Sequence, residues 1–378
     1  MKVVIAIDSF KGSLTSLEAG NAAKAGVLRA LPDASVTVSP LADGGEGTAA
    51  ALTEALCGQT VSVRVTGPLG APVTASYGIL PDGRTAVMEM AQAAGITLIP
   101  PGAADPLRAS TFGVGEMLAD AYDRGCRAFI MGIGGSATVD GGTGMLSALG
   151  VRFLDEAAKP LAGSLASLDR IAVIDVRNAH PLLKECRFDV ACDVKNPLTG
   201  KDGAVAVFGP QKGVKDEEKA PFDAKMRHFA DKTAAFLGKD ERDTPGAGAA
   251  GGLGYALLAY FAYARLCPGA ELVMKTVKLE EAISGADVVV TGEGRLDAQS
   301  AMGKAPIGVA RLAKAYGKRV LAFAGCVSKD AAVCNDAGID AYFPVLRGVT
   351  TLEEAMKPEN ARENLADTVE QVFRLFRR

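Results

Sequence analysis

A chain of 378 residues with 48% hydrophobic and 22% charged side chains can bury a large core and divide into two or three domains. Its formal net charge of -3, with no basic run longer than Arg377-Arg378, leaves no electrostatic footprint for nucleic acid. Seven scattered cysteines without a C-x-x-C pair point to reduced thiols, and two histidines are too few for an ordinary zinc site, so a general base is to be sought among Asp, Glu and Lys.

The first apolar run, Lys2 to Ile7, is β-branched and reads as a buried strand. At five apolar residues ended by Asp8 it is too short for a targeting segment, and Leu253 to Ala264 is too short to cross a bilayer, so a soluble, cytoplasmic protein is expected. Asp8, Ser9 and Lys11 follow the strand, and Thr15-x-x-Glu18 is a capping box that starts a helix. In open α/β sheets ligands sit beyond the carboxyl ends of the strands, which is where these three residues fall. A second strand at Val36 to Ser39 leads into PLADGGEGT, where Asp43 and Glu46 flank two glycines before a helix from Thr48 to Leu56. Acids there also serve as ordinary first-turn helix residues.

From Val61 to Met90 the pattern changes to hairpin-like strands, VSVRV, VTASYGIL and TAVMEM, and parallel βαβ grammar stops. A helix from Phe112 to Arg124 precedes the strand-like RAFIM and then Gly132 to Gly144, GIGGSATVDGGTG. A glycine-rich strand-to-helix turn gathers unblocked N–H groups at a positive helix end and suits a phosphate. Ser136 and Thr138 add hydroxyls. Asp140 adds a carboxylate, which would repel phosphate unless a cation lay between them. A dinucleotide fingerprint competes, because GIGGSA fits G-x-G-x-x-A and Asp155 follows a possible second strand, Val151 to Leu154. With 44 glycines in the chain such matches come cheaply: GAGAAG at 246–251 satisfies the same pattern with no strand before it.

A helix-forming run near Leu161 to Leu168 is followed by the strand RFDVAC (187–192), whose end carries Asp193 and Asn196. GKDGAVAVFGPQKGVK then joins glycines to Lys201 and Lys212, and Asp216 to Leu237 forms a charged amphipathic helix. PGAGAAGGLG (245–254) opens an apolar helix expected to end near Leu266. Parallel grammar returns at Asp287: ADVVVTGEGRLD is a strand with Glu293, Arg295 and Asp297 at its end, then a helix with Pro306 in its first turn, strands at 318–325 and 341–345, and a terminal helix from Glu359 to Phe376. The expected fold is therefore two different α/β domains. Residues 1–65 with 285–378 form a Rossmann- or flavodoxin-like parallel-sheet domain, interrupted by a mixed α/β domain at 66–284.

These blocks together resemble the bacterial type of the glycerate kinase family. The resemblance is carried in order by DSFKGSLTS (8–16), PLADGGEGT (40–48), GIGGSAT (132–138) with DGG (140–142), CDVKNPLTG (192–200), FGPQKG (208–213), PGAGAAGGLG (245–254) and TGEGRLDAQSAMGKAP (291–306). Val139 stands where the family usually has Asn, which removes an amide from the central loop. The resemblance implies ATP-dependent phosphorylation of D-glycerate, commonly to 2-phosphoglycerate, in sugar-acid metabolism, and a fold of two different α/β domains, one inserted in the other, with the active site in the cleft between them. No G-x-x-x-x-G-K-[ST] occurs, so the P-loop NTPases are not the template.

Phosphoryl transfer asks for position and positive charge. On that basis Gly134, Gly135, Ser136, Thr138, Gly292, Glu293, Gly294, Lys212 and Lys304 are assigned to the ATP phosphates, and Asp43, Asp297 and Asp140 to Mg2+. Ser9, Lys11, Asn196 and Arg295 are assigned to the glycerate, and either Asp193 or Asp8, with Lys11 beside the transferred group, to the catalytic step. The partners expected are glycerate and ATP, with no nucleic acid and no membrane, for a monomer or homodimer. Phosphorylation at the 3-hydroxyl, a nicotinamide-dependent oxidoreductase and a non-catalytic sensor of small acids stay open at this stage.

Overall fold

The structure, a computed structural model, describes every residue except Asp43, Glu46 and Arg378. Two compact units divide it: residues 1–43 with 270–378, and residues 44–269.

The first unit is built on five parallel strands: β1 (Lys2–Ile7), β2 (Ser35–Val38), and, numbered after the second unit's strands, β11 (Val288–Leu296), β12 (Arg319–Val327) and β13 (Ala341–Pro344). Their spatial order is β13-β12-β11-β1-β2, which, counted along this unit alone, is the flavodoxin-like order 2-1-3-4-5. The strands are apolar on both faces because helices cover both. Val3, Ile5 and Ile7 pack with Ala19, Ala23 and Val27 of the helix Ser16–Ala30 and with Leu365 and Val369 of the helix Pro358–Phe373. Val4 and Ala6 point the other way, into a core with Val309 and Ala310 of the helix Ala305–Ala315. Thr15 caps the first helix as expected: its hydroxyl accepts from Glu18 N at 3.2 Å and its N–H donates to Glu18 Oε2 at 2.9 Å.

The second unit holds a six-stranded mixed sheet. β3 (Gln59–Thr66), β4 (Pro72–Ile79) and β5 (Thr85–Glu89) form the expected antiparallel meander, and β5, β6 (Ala128–Gly132), β9 (Arg187–Ala191) and β10 (Tyr263–Cys267) run parallel. A separate ribbon pairs β7 (Arg152–Leu154) with β8 (Val173–Asp175).

Several expectations shift. The second unit begins at Gly44, ahead of the boundary expected near residue 65, because Leu52 and Thr53 of the helix Thr48–Ala55 are buried where Thr53 touches Gly78 of β4. The helix opened by the 245–254 glycines spans Ala249–Tyr260 and stops there; the next residues form edge strand β10, whose Arg265 pairs with Asp189 of β9. The run near Leu161 gives a 3-10 helix at Leu165–Arg170 in place of an α-helix.

Candidate active site

In the first unit the site residues fall where the topology predicts. The chain leaves β1 toward β2 on one side and returns to β11 on the other, so the crevice beyond the carboxyl ends of β1 and β11 is a topological switch point. Asp8 N donates to Gly292 O at 2.9 Å, which ties the turn after β1 to β11, and Ser9 N donates to Asp8 Oδ1 at 2.7 Å. β11 continues through the TGEG block to Leu296 and carries Glu293 and Arg295, with Asp297 just past its end. Lys304, N-cap of the helix behind, lies 3.7 Å from Glu293 Oε2 and 3.9 Å from Asp297 Oδ1, and Arg295 Nε lies 3.5 Å from Asp297 Oδ2. Glu293 is only 8% exposed and its Oε1 has no hydrogen-bond partner. Burial pushes its carboxyl above the usual carboxylate range, against the pull of Ser300, Lys304 and Lys11. Lys11, Glu293, Arg295, Asp297 and Lys304 thus form one cluster of mixed charge, with Asp8 on the neighbouring strand end.

In the second unit β6 delivers the glycine loop, which runs into the short helix Thr143–Ala148. Asp140, expected near a metal, is fully buried and directed at the loop's own donors. Its Oδ2 accepts from Thr111 N at 2.8 Å, Thr111 Oγ1 at 2.7 Å and Gly144 N at 3.2 Å, and its Oδ1 accepts from Gly142 N at 3.1 Å. Thr111 Oγ1 in turn accepts from Met145 N at 2.9 Å. Burial raises the Asp140 pKa while these donors hold it down. Every neighbour donates, so the carboxylate is the form that fits.

Lys212 is 2% exposed and its ammonium is also turned inward, donating to Ser136 Oγ at 2.6 Å and Thr138 O at 2.8 Å. Burial brings its pKa down to about 7, opposed by the charge of Asp140. The 245–254 block closes the loop from behind: Gly141 N donates to Gly251 O at 2.9 Å, and Gly251 at φ +67° sits so close that an added Cβ would meet Thr138 O at 2.0 Å. Close backbone approach, more than turn formation, is what this glycine supplies. Val139 is fully buried in the apolar core, where an amide would need a partner of its own.

Asp193, beyond β9, accepts from Gly269 N at 2.9 Å, and Asn196 donates to Asp202 O at 2.8 Å. Asp43, assigned to metal, and Glu46 lie outside the described residues. Asp155 belongs to a turn, accepting from Ala157 N and Lys159 N at 2.9 Å each, and β7 before it pairs with β8, whereas the neighbours of β6 are β5 and β9.

Two structuring residues leave little signal in the sequence. Glu89, buried at the end of β5, accepts from Ala49 N at 2.7 Å and Gly47 N at 3.2 Å and so anchors the start of the helix Thr48–Ala55. Its signal was an acid inside the apolar run TAVMEM. Thr111 stands just ahead of the helix Phe112–Asp123 and was legible only as a possible cap; its hydroxyl serves Asp140 instead.

The model of the glycerate kinase family matches residues 3–377. The chain belongs to that family. It is an enzyme, a phosphotransferase that acts on an alcohol group. A glycerate kinase of Haemophilus influenzae is 47% identical over 376 residues, covering 100% of this chain and 99% of its own. The glycerate 2-kinase of Escherichia coli K12 is 45% identical, covering 94% of this chain and 93% of its own. The crystal structure of a glycerate kinase 2 from Salmonella typhimurium LT2 superposes with a TM-score of 0.91 at 45% identity, over 100% of this chain and 98% of that one. The mixed α/β fold with its parallel sheet is thus the family's fold. No helix among the described residues is long and apolar enough to cross a membrane.

Proposed function

We propose that this enzyme transfers the γ-phosphoryl group of ATP to the 2-hydroxyl of D-glycerate, giving 2-phosphoglycerate. The observation that carries the reading is the charge cluster at the β1/β11 switch point, where Lys11, Arg295 and Lys304 can neutralise anionic ligands beside carboxylates that can accept from a hydroxyl. The 2-position is supported by the names of the relatives in Escherichia coli and Salmonella.

In this reading the backbone of Gly134, Gly135 and Ser136, braced by Lys212, and the backbone of Gly292 and Gly294 with Lys304 hold the nucleotide phosphates. Ser9, Lys11, Asn196 and Arg295 hold the acceptor, and Asp193 or Asp8 orients its attacking hydroxyl. Because charge spreads over the phosphoryl oxygens in the transition state, fixed N–H groups and cations there lower the barrier without having to reorganise. Magnesium would supply further charge neutralisation on the phosphates. Asp297 fits such an ion: Oδ1 is engaged by Gln299 N and Ser300 N, while Oδ2 has only a long contact to Arg295. Asp140, spent on the loop, is a poor candidate.

Coupled ADP release with D-glycerate and Mg-ATP, followed by phosphorus NMR of the product, tests the proposal. ADP release with a 2-phosphoglycerate resonance is expected. A 3-phosphoglycerate product overturns the regiochemistry, and no glycerate-dependent ADP release overturns the whole reading.

A further inference from the structure

Glu293 sits in the TGEG block, which as a glycine turn suggests a phosphate cradle, yet its chemistry is wrong for one. Phosphate oxygens of ATP are acceptors at neutral pH, and a carboxylate is an acceptor too when ionised, so the two repel. The carboxylate is buried; the Ser300 hydroxyl acts on it as a donor, but its Oε1 accepts nothing, and the nearest cation, Lys304 Nζ, is 3.7 Å from Oε2, beyond hydrogen-bonding distance. A buried acceptor without a donor is costly, and native structures rarely keep one without a purpose.

The surroundings narrow the missing donor. Lys304, with a side chain 42% exposed, and the exposed Lys11 place positive charge next to Glu293, and Arg295 lies beyond on the same strand end. A ligand that satisfies both kinds of group carries an anionic end for Lys11 and Arg295 and a hydroxyl for the carboxylate, separated by one or two carbons. A short hydroxy acid is such a molecule; a nucleotide phosphate has the charge and lacks the donor.

We infer that Glu293 is the residue that accepts a hydrogen bond from a glycerate hydroxyl, making it a determinant of selectivity for hydroxy acids rather than a ligand of the nucleotide. This rests on the proposed function and places the acceptor substrate at the β1/β11 switch point. A site built around a substrate hydroxyl rejects the analogue lacking it, because its own polar group is then left buried and unpaired.

The test is titration calorimetry on the full chain without nucleotide, using D-glycerate, D-lactate, which lacks the 3-hydroxyl, and 3-hydroxypropanoate, which lacks the 2-hydroxyl. The wild type should bind glycerate at least ~10-fold more tightly than the analogue missing the hydroxyl that Glu293 holds. Glu293→Gln keeps the shape and a neutral acceptor and should weaken glycerate about 10-fold, and Glu293→Ala roughly 100-fold. The deficient analogue should bind the variants as it binds the wild type, and the KM for ATP should stay within about 2-fold. Thermal melts of the isosteric Gln variant guard against misfolding. Equal binding of all three acids by the wild type overturns the inference. So does unchanged glycerate affinity in the variants with a raised KM for ATP, which assigns Glu293 to a ribose or adenine donor, or with a raised magnesium requirement, which assigns it to the cation. Because the titrations need no turnover, the two readings fail separately. Glycerate binding without ADP release ends the proposed function, whereas ADP release with variants that bind glycerate normally ends this inference.

Discussion

Asp140 offers the sharpest test of how the glycine loop is held. In Asp140→Asn the amide oxygen best takes the place of Oδ2, where Thr111 N, Thr111 Oγ1 and Gly144 N converge at 2.8, 2.7 and 3.2 Å. The amide nitrogen then faces Gly142 N, now 3.1 Å from Oδ1, and two donors oppose each other. Leaving one buried N–H unsatisfied costs about 1–3 kcal/mol, and turning three charge-assisted bonds into neutral ones adds roughly 1–2 kcal/mol more. Relief from burying a charge offsets part of this, so a net loss of about 2–4 kcal/mol is expected. The loss should be coupled to Lys212, whose buried ammonium is stabilised by the Asp140 charge. Asp140→Asn leaves that ammonium without its counter-charge, whereas in Asp140→Asn/Lys212→Met there is no charge left to strand. The double variant should therefore be more stable than the sum of the single losses by about 1–2 kcal/mol. Denaturant unfolding, followed by a probe in the 44–269 unit because a two-unit chain need not unfold in one step, reads both quantities. A single Asn variant within about 0.5 kcal/mol of wild type, or additivity within about 0.3 kcal/mol, refutes the network as drawn.

Lys212 also gives a pH signature. Its folded pKa of about 7 lies below the ordinary 10.5, so between those values the unfolded chain holds the extra proton, and this residue's burial cost, full below about pH 7, fades as pH rises. The stability of wild type relative to Lys212→Met should therefore climb from pH 6 to pH 9 in unfolding melts; a flat or falling difference contradicts it. Gly251→Ala forces a left-handed backbone on alanine and a Cβ to 2.0 Å from Thr138 O, and should cost at least ~3 kcal/mol and raise the KM for ATP, checked by melts and ADP-release kinetics. Asp193→Ala should keep the fold and lose about 100- to 1000-fold in kcat; near-normal turnover would pass the orienting role to Asp8. Glu89→Gln strips the double acceptor from Ala49 N and Gly47 N and should cost about 1–3 kcal/mol in melts, with no cost refuting the anchor.

Local pattern carried much of the architecture. The β-branched run at Lys2–Ile7, the Thr15 capping box and the hairpin turns before β5 act within a few residues of themselves, and all appear where the chain's periodicity puts them. What depends on long-range packing was not legible. The edge strand β10 follows a helix without a break in apolar character, and only pairing with β9, with Arg265 meeting Asp189, makes it a strand. The unit boundary moved to Gly44 for a related reason: the helix Thr48–Ala55 follows parallel-domain grammar in sequence, but its buried face fits the meander.

The charged residues show the same division more sharply. An acid in a glycine-rich turn has the same sequence signature whether it holds a cation, accepts from a substrate or organises the turn. Asp140, in such a turn, and Glu293, between two glycines of β11, are both buried carboxylates with pKa values raised by burial. Their partners separate them: Asp140 is saturated by Thr111, Gly142 and Gly144, while Glu293 Oε1 has none. A saturated carboxylate has already spent its hydrogen-bonding capacity on the fold, so its removal should appear first as lost stability. An unsatisfied one keeps that capacity for a ligand, so its removal should appear first as lost affinity. Measuring both effects on both variants, Asp140→Asn and Glu293→Gln, turns that distinction into a crossed comparison. An Asp140 variant that is stable but weak in substrate binding, or a Glu293 variant that binds normally and unfolds early, would refute the distinction.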